Sequence, residues 1–297
     1  MRFAVLLPLV LAGCQSLPSL RPTARAPRTD HPATLAIPVN STSIAPSTAA
    51  IVPVAAQEPA QRSVDSLHAD AITHFAEAKS FVARLRRRET VNGRARPEEL
   101  VLFKERKDPY GIHMKWIGSE ANGREVLYVR GKFGDKLNII TAAGDVPFMS
   151  GGQRMALARD SMLVKAANPN HDISEAGMAS YLRDLTQLYA SARSSNSGVT
   201  TKLLGPVQRP EYPEPLECVE VRLPQGHDAD LPRGGSRQIF YCTKTKLPVL
   251  YLLFDETGRE QNYNCYDRIQ TDLKLDDDDF DPDKLWGKRG TAATKTP

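Results

Sequence analysis

The sequence predicts an α+β fold, a single domain over residues 64–286 in which one large curved antiparallel sheet packs on helices. Three observations carry this. Apolar residues recur at helical spacing in two places, from Val64 and again from Asp172. Each helical stretch is followed by a run of short segments with strand character. Where those segments alternate, apolar side chains fall on one face and polar ones on the other, the pattern of an antiparallel sheet with one covered face.

The domain opens at Ser63, a candidate N-cap with Asp65 in the first turn. Val64, Leu67, Ala71, Phe75, Ala78 and Val82 then form one inward stripe. Residues 99–107, 111–118, 125–131 and 136–143 read as four strands, separated by Asp108-Pro109-Tyr110-Gly111, Asn122-Gly123 and Gly134-Asp135. In the second, Ile112, Met114 and Trp116 share a face opposite His113 and Lys115. The middle is less regular. Phe148, Met149, Met155 and Met162 include three of the six methionines, which serve either as core filler or as a pliable wall for an acyl chain. A second helix begins at Asp172 or Ser174, where Asp172 and Glu175 have capping-box spacing, and carries Met178, Tyr181, Leu182, Leu185, Leu188 and Tyr189 as its stripe. Residues 217–223, 237–243, 247–254 and 260–273 complete the meander, with Asp255-Glu256-Thr257-Gly258 as a hairpin turn. The third of these is apolar almost throughout, as a central strand covered on both faces should be.

Ahead of the domain, residues 3–13 form an apolar run interrupted by Pro8, too short for the roughly 20 residues a helical span requires. A charged start, an apolar middle and small residues before a cut are the features of a signal peptide. Leu11-Ala12-Gly13-Cys14 resembles the lipobox of bacterial lipoproteins at all four positions. The resemblance implies removal of residues 1–13, a diacylglycerol thioether on Cys14 and acylation of the freed amine. Stable anchoring takes two membrane signals, which such a cysteine exceeds. Residues 15–63 contain eight prolines and no aromatic residue, too little apolar surface to offset the entropy of ordering. They read as a tether of about 40 Å as a flexible coil, and residues 287–297 as a disordered tail. These features place the chain in the cell envelope, anchored in a membrane. Gln15 after the cysteine, rather than Asp, fits the periplasmic side of the outer membrane by resemblance to sorted lipoproteins.

The net charge of +4 falls to +3 when Arg2 leaves with the signal, and acidic and basic residues are interspersed, so nothing points to nucleic acid as a partner. The one basic cluster, Arg84, Arg86, Arg87 and Arg88 with Arg94 and Arg96 nearby, reads as an exposed strand end or turn, or as a patch for anionic lipid or an acidic glycan. If residues 217–223 and 237–243 pair about a loop centred near Asp230, Cys218 and Cys242 become cross-strand neighbours. A disulfide there would contribute about 3 kcal/mol; the alternative is two reduced core cysteines, with Cys265 a buried thiol in either case. Catalytic signatures are absent: no Gly-x-Ser-x-Gly, phosphate-binding glycine loop, Cys-x-x-Cys or His-Glu-x-x-His occurs. The histidines are scattered, so no metal, cofactor or catalytic residue is assigned and a non-enzymatic role is expected. Asp276–Asp279 with Asp281 and Asp283 fails the calcium-loop pattern, because Pro282 stands where the turn glycine belongs and Lys288 where the bidentate glutamate belongs. It reads instead as a solvated acidic turn favouring a short helix over residues 282–286.

Three features stand in order: Asn170-His171-Asp172-Ile173-Ser174-Glu175-Ala176-Gly177, Ile239-Phe240-Tyr241 followed by Leu247-Pro248, and Tyr263-x-Cys265-Tyr266-Asp267 leading to Leu275-Asp276 and Asp279-Phe280-Asp281. Their order resembles the domain of unknown function 1571 family and, remotely, LolA/LolB-like carriers. The resemblance implies a half-open antiparallel β-barrel wrapped on helices, an apolar cavity between them, and no catalytic residues. Candidate cavity residues are Ile112, Met114, Trp116, Met149, Met155 and Met162. Two functions follow as expectations. One is a lipid-anchored carrier or receptor for a lipid or lipoprotein acyl chain; the other is an envelope scaffold or sensor that binds a protein or a cell-wall glycan.

Overall fold

A computed structural model describes residues 62–91, 93–146, 150–167 and 172–287. The expected signal peptide, Cys14, nearly all of the expected tether, Met149, and all but the first residue of the expected tail lie outside the described residues. Helix α1 (Val64–Glu77) starts at Ser63, whose side chain accepts from the Ser66 N–H while Ser66 answers the cap backbone. Its apolar stripe was expected to continue through Ala78 and Val82, but the helix ends at Glu77 and the chain enters strand β1 (Ser80–Val91). Lys107 closes the helix by donating to the Phe75 and Ala76 carbonyls, where a cation suits the helix dipole. Beyond it, Phe81, Ala83 and Leu85 alternate with Arg84, Arg86 and Arg88, a period-two pattern.

After β1 come β2 (Arg94–Ala95), β3 (Glu99–Lys107), β4 (Tyr110–Trp116), β5 (Glu125–Val129), β6 (Leu137–Ile140) and β7 (Arg154–Leu157). Helices α2 (Met162–Ala167) and α3 (Met178–Arg193) separate these from β8 (Thr200–Val207), β9 (Leu216–Leu223), β10 (Gly235–Cys242), β11 (Pro248–Asp255) and β12 (Glu260–Gln270). A short helix α4 (Pro282–Trp286) follows. The strands form one antiparallel sheet in the order β7-β6-β5-β4-β3-β1-β12-β11-β10-β9-β8, with β2 paired to β1 alone. Strand β1 thus joins the two meanders, pairing with β3 on one side and β12 on the other. The β3 bounds are those expected, the other expected strands lie within a few residues, and β1, β2, β7 and β8 are additions.

The sheet's inner face packs on α1 and α3. Leu67, Ala71 and Phe75 from α1 and Met178, Leu182, Leu185, Leu188 and Tyr189 from α3 share one core with Phe81, Phe103 and Tyr266. The aromatic rings meet edge-on, Phe81 lying 5.7 Å from Tyr266 and 6.2 Å from Phe103. The α3 stripe is the expected one, preceded by a 3-10 turn (Ile173–Glu175) that Asp172 caps.

The outer face is also covered, which one-sided alternation in β4 did not predict. His113 is 4% exposed. Over it lies the segment 275–286, whose Phe280 packs on Leu127 and Val129 with Leu275, Leu285 and Trp286 around it. The expected acidic turn is therefore no free solvated loop. Asp277 pairs with Arg106 and Lys132, Asp279 with Lys104, and Asp283 with Arg154, binding the segment across the sheet as a strap. Asp281 caps α4 by accepting from the Asp283 and Lys284 N–H groups. On the other half of this face, the loop over residues 208–215 places Tyr212 against the Val249 and Tyr266 carbonyls, and its Glu211 receives Arg209 and the Tyr263 hydroxyl.

Two further expectations are corrected. Cys218 lies opposite Phe240 and Cys242 opposite Leu216, a register two residues from the one that would pair the cysteines. Cys218 and Cys242 are thus diagonal neighbours, about 7–8 Å apart, beyond the usual reach of a disulfide, and the three domain cysteines are free thiols. The basic cluster is an exposed strand end only in part, because its four strand arginines sit in the centre of the sheet. Arg84 forms a two-pronged pair with Asp267, Arg86 donates to Cys265 Sγ, Arg87 pairs with Glu89 and Glu99, and Arg88 with Glu98 and Glu260. Only Arg94 and Arg96, in the β1–β2 hairpin, are exposed.

Candidate binding face

The inner face divides into an apolar half, filled by the helices, and a polar half. In the apolar half, Ile112, Met114 and Trp116 lie together as their alternation predicts, at 3%, 4% and 4% exposure. They belong to the same continuous core as α1 and α3. Met155 and Met162 do not join them as a wall, and Met149 lies outside the described residues. Met155 is half-buried on the edge strand β7, opposite Ile139, and Met162 is 82% exposed. A void of about 10 Å³ lies between α1 and the β9–β10 edge, lined by Leu67, Asp70, Glu217, Tyr241, Cys242 and Lys246 among others. That is room for one water at most.

The helices are held over this face by specific polar contacts. His68 Nε2 of α1 meets Thr186 Oγ1 of α3 at 2.8 Å, and the Tyr189 and Tyr241 hydroxyls lie 3.0 Å apart. At the other end Glu105 of β3, with 0% exposure, accepts from the first N–H groups of α3, Met178 at 2.6 Å and Ala179 at 3.2 Å. Burial pushes the Glu105 carboxyl up to about 7, although the two backbone donors and Lys107 oppose the rise. Gly177 permits this approach, since a Cβ there would stand 2.6 Å from Glu105 Oε1.

The polar half follows from strand register. Glu99, Arg87, Asn264 and Tyr251 lie side by side across β3, β1, β12 and β11; one step along, Glu89, Asn262, Leu253 and Arg237 cross β1, β12, β11 and β10. Tyr181 of α3 stacks on Tyr251 with ring centres 5.3 Å apart. Arg87, Glu89, Glu99 and Arg237 retain 26%, 32%, 24% and 22% side-chain exposure, so water reaches the strip. Its charges are internally matched: Arg87 pairs with Glu89 and Glu99, and Arg237 with Asp228. The Asn264 amide donates to Asn262. Three buried polar atoms in the strip have no hydrogen-bond partner among the described residues: the Tyr181 hydroxyl, Arg237 Nε and Glu99 Oε2, the last held only by its ion pair with Arg87. Sequence reading missed this strip because its members come from five strands and a helix; only cross-strand register brings them together.

A second polar cluster lies on the outer face under the strap. Glu125 accepts from His113 Nε2 and Trp286 Nε1, both at 2.8 Å, and pairs with Lys115 at 2.9 Å. Burial opposes its charge, but those three partners prevail and hold it down at about 2. Among the described residues no group of His, Cys, Asp and Glu is arranged to hold a metal ion, and no helix is long and apolar enough to cross a membrane.

No curated protein matches the chain. Among solved structures it is similar to an uncharacterized conserved protein from Thermus thermophilus, with 8% identity and a TM-score of 0.42 over 78% of this chain and 97% of that one. It is similar to a chain of the MucA/MucB complex of Pseudomonas aeruginosa, with 16% identity and a TM-score of 0.41 over 72% and 60%. It is also similar to a LolA superfamily protein from Nitrosomonas europaea, with 12% identity and a TM-score of 0.30 over 75% and 99%. Residues 78–285 match the family described as protein of unknown function DUF1571, and the chain belongs to that family.

Proposed function

We propose that the chain is a lipid-anchored, non-enzymatic binding protein of the bacterial cell envelope, facing the periplasm from the outer membrane. Its ligand would lie against the inner face of a sheet curled into a half-open barrel. Dimensions support the curl. Helix α3 has 16 residues, about 24 Å. Its first turn is held by β3 and it packs on β8, six strand spacings away, roughly 29 Å if the sheet were flat.

The observation that carries the reading is the division of the inner face. A half-buried strip of aromatic, amide and guanidinium groups borders a filled apolar core, the mixture of apolar walls and few polar groups that binding sites use. For a lipid or lipoprotein acyl chain, the chain would take the place of α1 or α3 side chains beside Ile112, Met114 and Trp116. That requires opening a packed core. A protein or glycan partner would first meet the part-exposed Arg87, Glu89 and Arg237 side chains without opening that core, and the polar strip favours it. Native mass spectrometry of the mature lipoprotein, with lipid extraction, separates the two. The expected result is a domain free of lipid beyond its own anchor, with in-cell cross-links to envelope components. Stoichiometric retained lipid would turn the reading to a carrier; neither lipid nor cross-link would sink it.

A further inference from the structure

We infer that the polar strip formed by Arg87, Asn262, Asn264, Tyr251 and Arg237, with Tyr181 above it, binds an uncharged glycan chain; this rests on the envelope-binding reading above. Four features point to that chemistry.

The first is charge. Each arginine of the strip already faces carboxylate, Arg87 between Glu89 and Glu99 and Arg237 on Asp228. An anionic headgroup or phosphate would have to displace these partners and then face the freed carboxylates. A neutral ligand leaves them in place. The second is hydrogen-bonding character. Asn262 and Asn264 together offer donors and acceptors, the Tyr181 hydroxyl can do either, and Arg237 Nε is a donor. The last two are buried without partners, a cost that a ligand supplying both donors and acceptors would relieve. Sugar hydroxyls and acetamido groups do this; acyl chains do not.

The third is the aromatic pair. Tyr181 and Tyr251, both part-buried, stack on each other at an interplanar angle of 30°, placing aromatic carbon beside the strip's polar groups, where the C–H groups of a sugar ring can pack. The fourth is length. From Glu99 on β3 to Arg237 on β10 the strip crosses four strand spacings, roughly 19 Å, which suits several linked sugars better than one.

The test is titration of the mature lipoprotein in detergent with a β-1,4-linked N-acetylglucosamine hexasaccharide. Saturable binding is expected, nearly independent of sodium chloride concentration because no charge is neutralised. Asn264→Ser and Tyr181→Phe should each weaken it about fivefold or more, the loss of one hydrogen bond. Tyr181→Phe should leave the thermal midpoint unchanged or raised, since it deletes a buried hydroxyl without a partner; a purely structural role for Tyr181 would not lower affinity while sparing stability. Absence of hexasaccharide binding, binding indifferent to both variants, or salt-sensitive binding of phosphatidylglycerol vesicles in its place overturns the inference. Retained lipid without sugar binding would overturn it while leaving the envelope-binding reading in its acyl-chain form. Binding of neither, with no cross-linked partner, overturns both.

Discussion

A buried carboxylate on the backbone N–H groups of a helix is a strong local commitment, and Glu105 makes one at the start of α3. Its pH dependence has a definite sign. Burial raises the carboxyl to about 7 in the folded chain, while an unfolded glutamate titrates near its ordinary value of about 4.3. Between those values the folded state holds a proton that the unfolded state has lost, so this residue's contribution is favourable at low pH and fades as pH rises to 7. A displacement of that size corresponds to roughly 4 kcal/mol. Urea unfolding of the wild type and Glu105→Gln from pH 4 to 8 should show the variant gaining about that much relative to the wild type; parallel profiles would sink the assignment. Glu125 has the opposite sign. Its carboxyl is held at about 2 by His113, Trp286 and Lys115 against the cost of burial. Its contribution is therefore present above the ordinary carboxylate range and lost as pH falls through that range toward 2. The two residues act in separate windows, so Glu125→Gln should flatten the acid limb, read by urea unfolding carried from about pH 5 down to about pH 2.

At the scale of elements, the strap over β4 and β5 is held by its apolar anchor more than by its ion pairs. Asp277, Asp278 and Asp283 are more than half exposed, and such pairs contribute at most about 1 kcal/mol each. Phe280 is 1% exposed, packs on Leu127 and Val129, and lies under the Arg106 guanidinium. Phe280→Ala should cost about 3–5 kcal/mol, whereas Asp277→Asn, at a solvent-screened carboxylate, should cost far less, both read by urea unfolding; equal costs would mean that the ion pairs, not the ring, hold the strap. The β9–β10 register makes its own prediction: thiol titration of the unfolded mature protein without reductant should find three free cysteines, and finding one would restore the disulfide. Much of this layer was legible in the chain. Alternation and turn residues located β3 to β6 and β9 to β12, and the α3 stripe lay where its spacing put it. Strand β1 was hidden because Ala78 and Val82 continue the α1 spacing and the following arginines favour helix as readily as strand. The strap looked like a solvated turn because its cationic partners, Lys104, Arg106 and Lys132, lie well over a hundred residues upstream. The polar strip was illegible for the same reason: its rows exist only after six strand and helix segments have been set in register.

For the whole molecule, the proposed anchor would determine where such a face meets a ligand. If Cys14 of the lipobox-like Leu11-Ala12-Gly13-Cys14 carries the lipid, the 49 residues without an aromatic side chain that follow would let the domain range about 40 Å from the membrane, further if the prolines keep the chain extended. A binding face carried at that distance suits a ligand in the periplasmic space better than the headgroups of the anchoring leaflet. The matched charges of the inner strip and the paired arginines of β1 agree, since neither offers the cationic surface that holds a protein down on anionic lipid. Intact mass of the mature protein should therefore show residues 1–13 gone and Cys14 carrying a diacylglyceryl group with an acylated amine. An unmodified Met1 or a free Cys14 thiol would remove the anchor, and with it the geometry of reach. Shortening the tether tests that geometry directly. Deleting residues 20–55 should leave the domain's unfolding midpoint unchanged, because α1 begins only at Val64, while cross-linking to components more than about 20 Å from the membrane should fall. Undiminished cross-linking would mean that the partner lies at the membrane surface, and that the spacing of the domain from the bilayer has no part in its function.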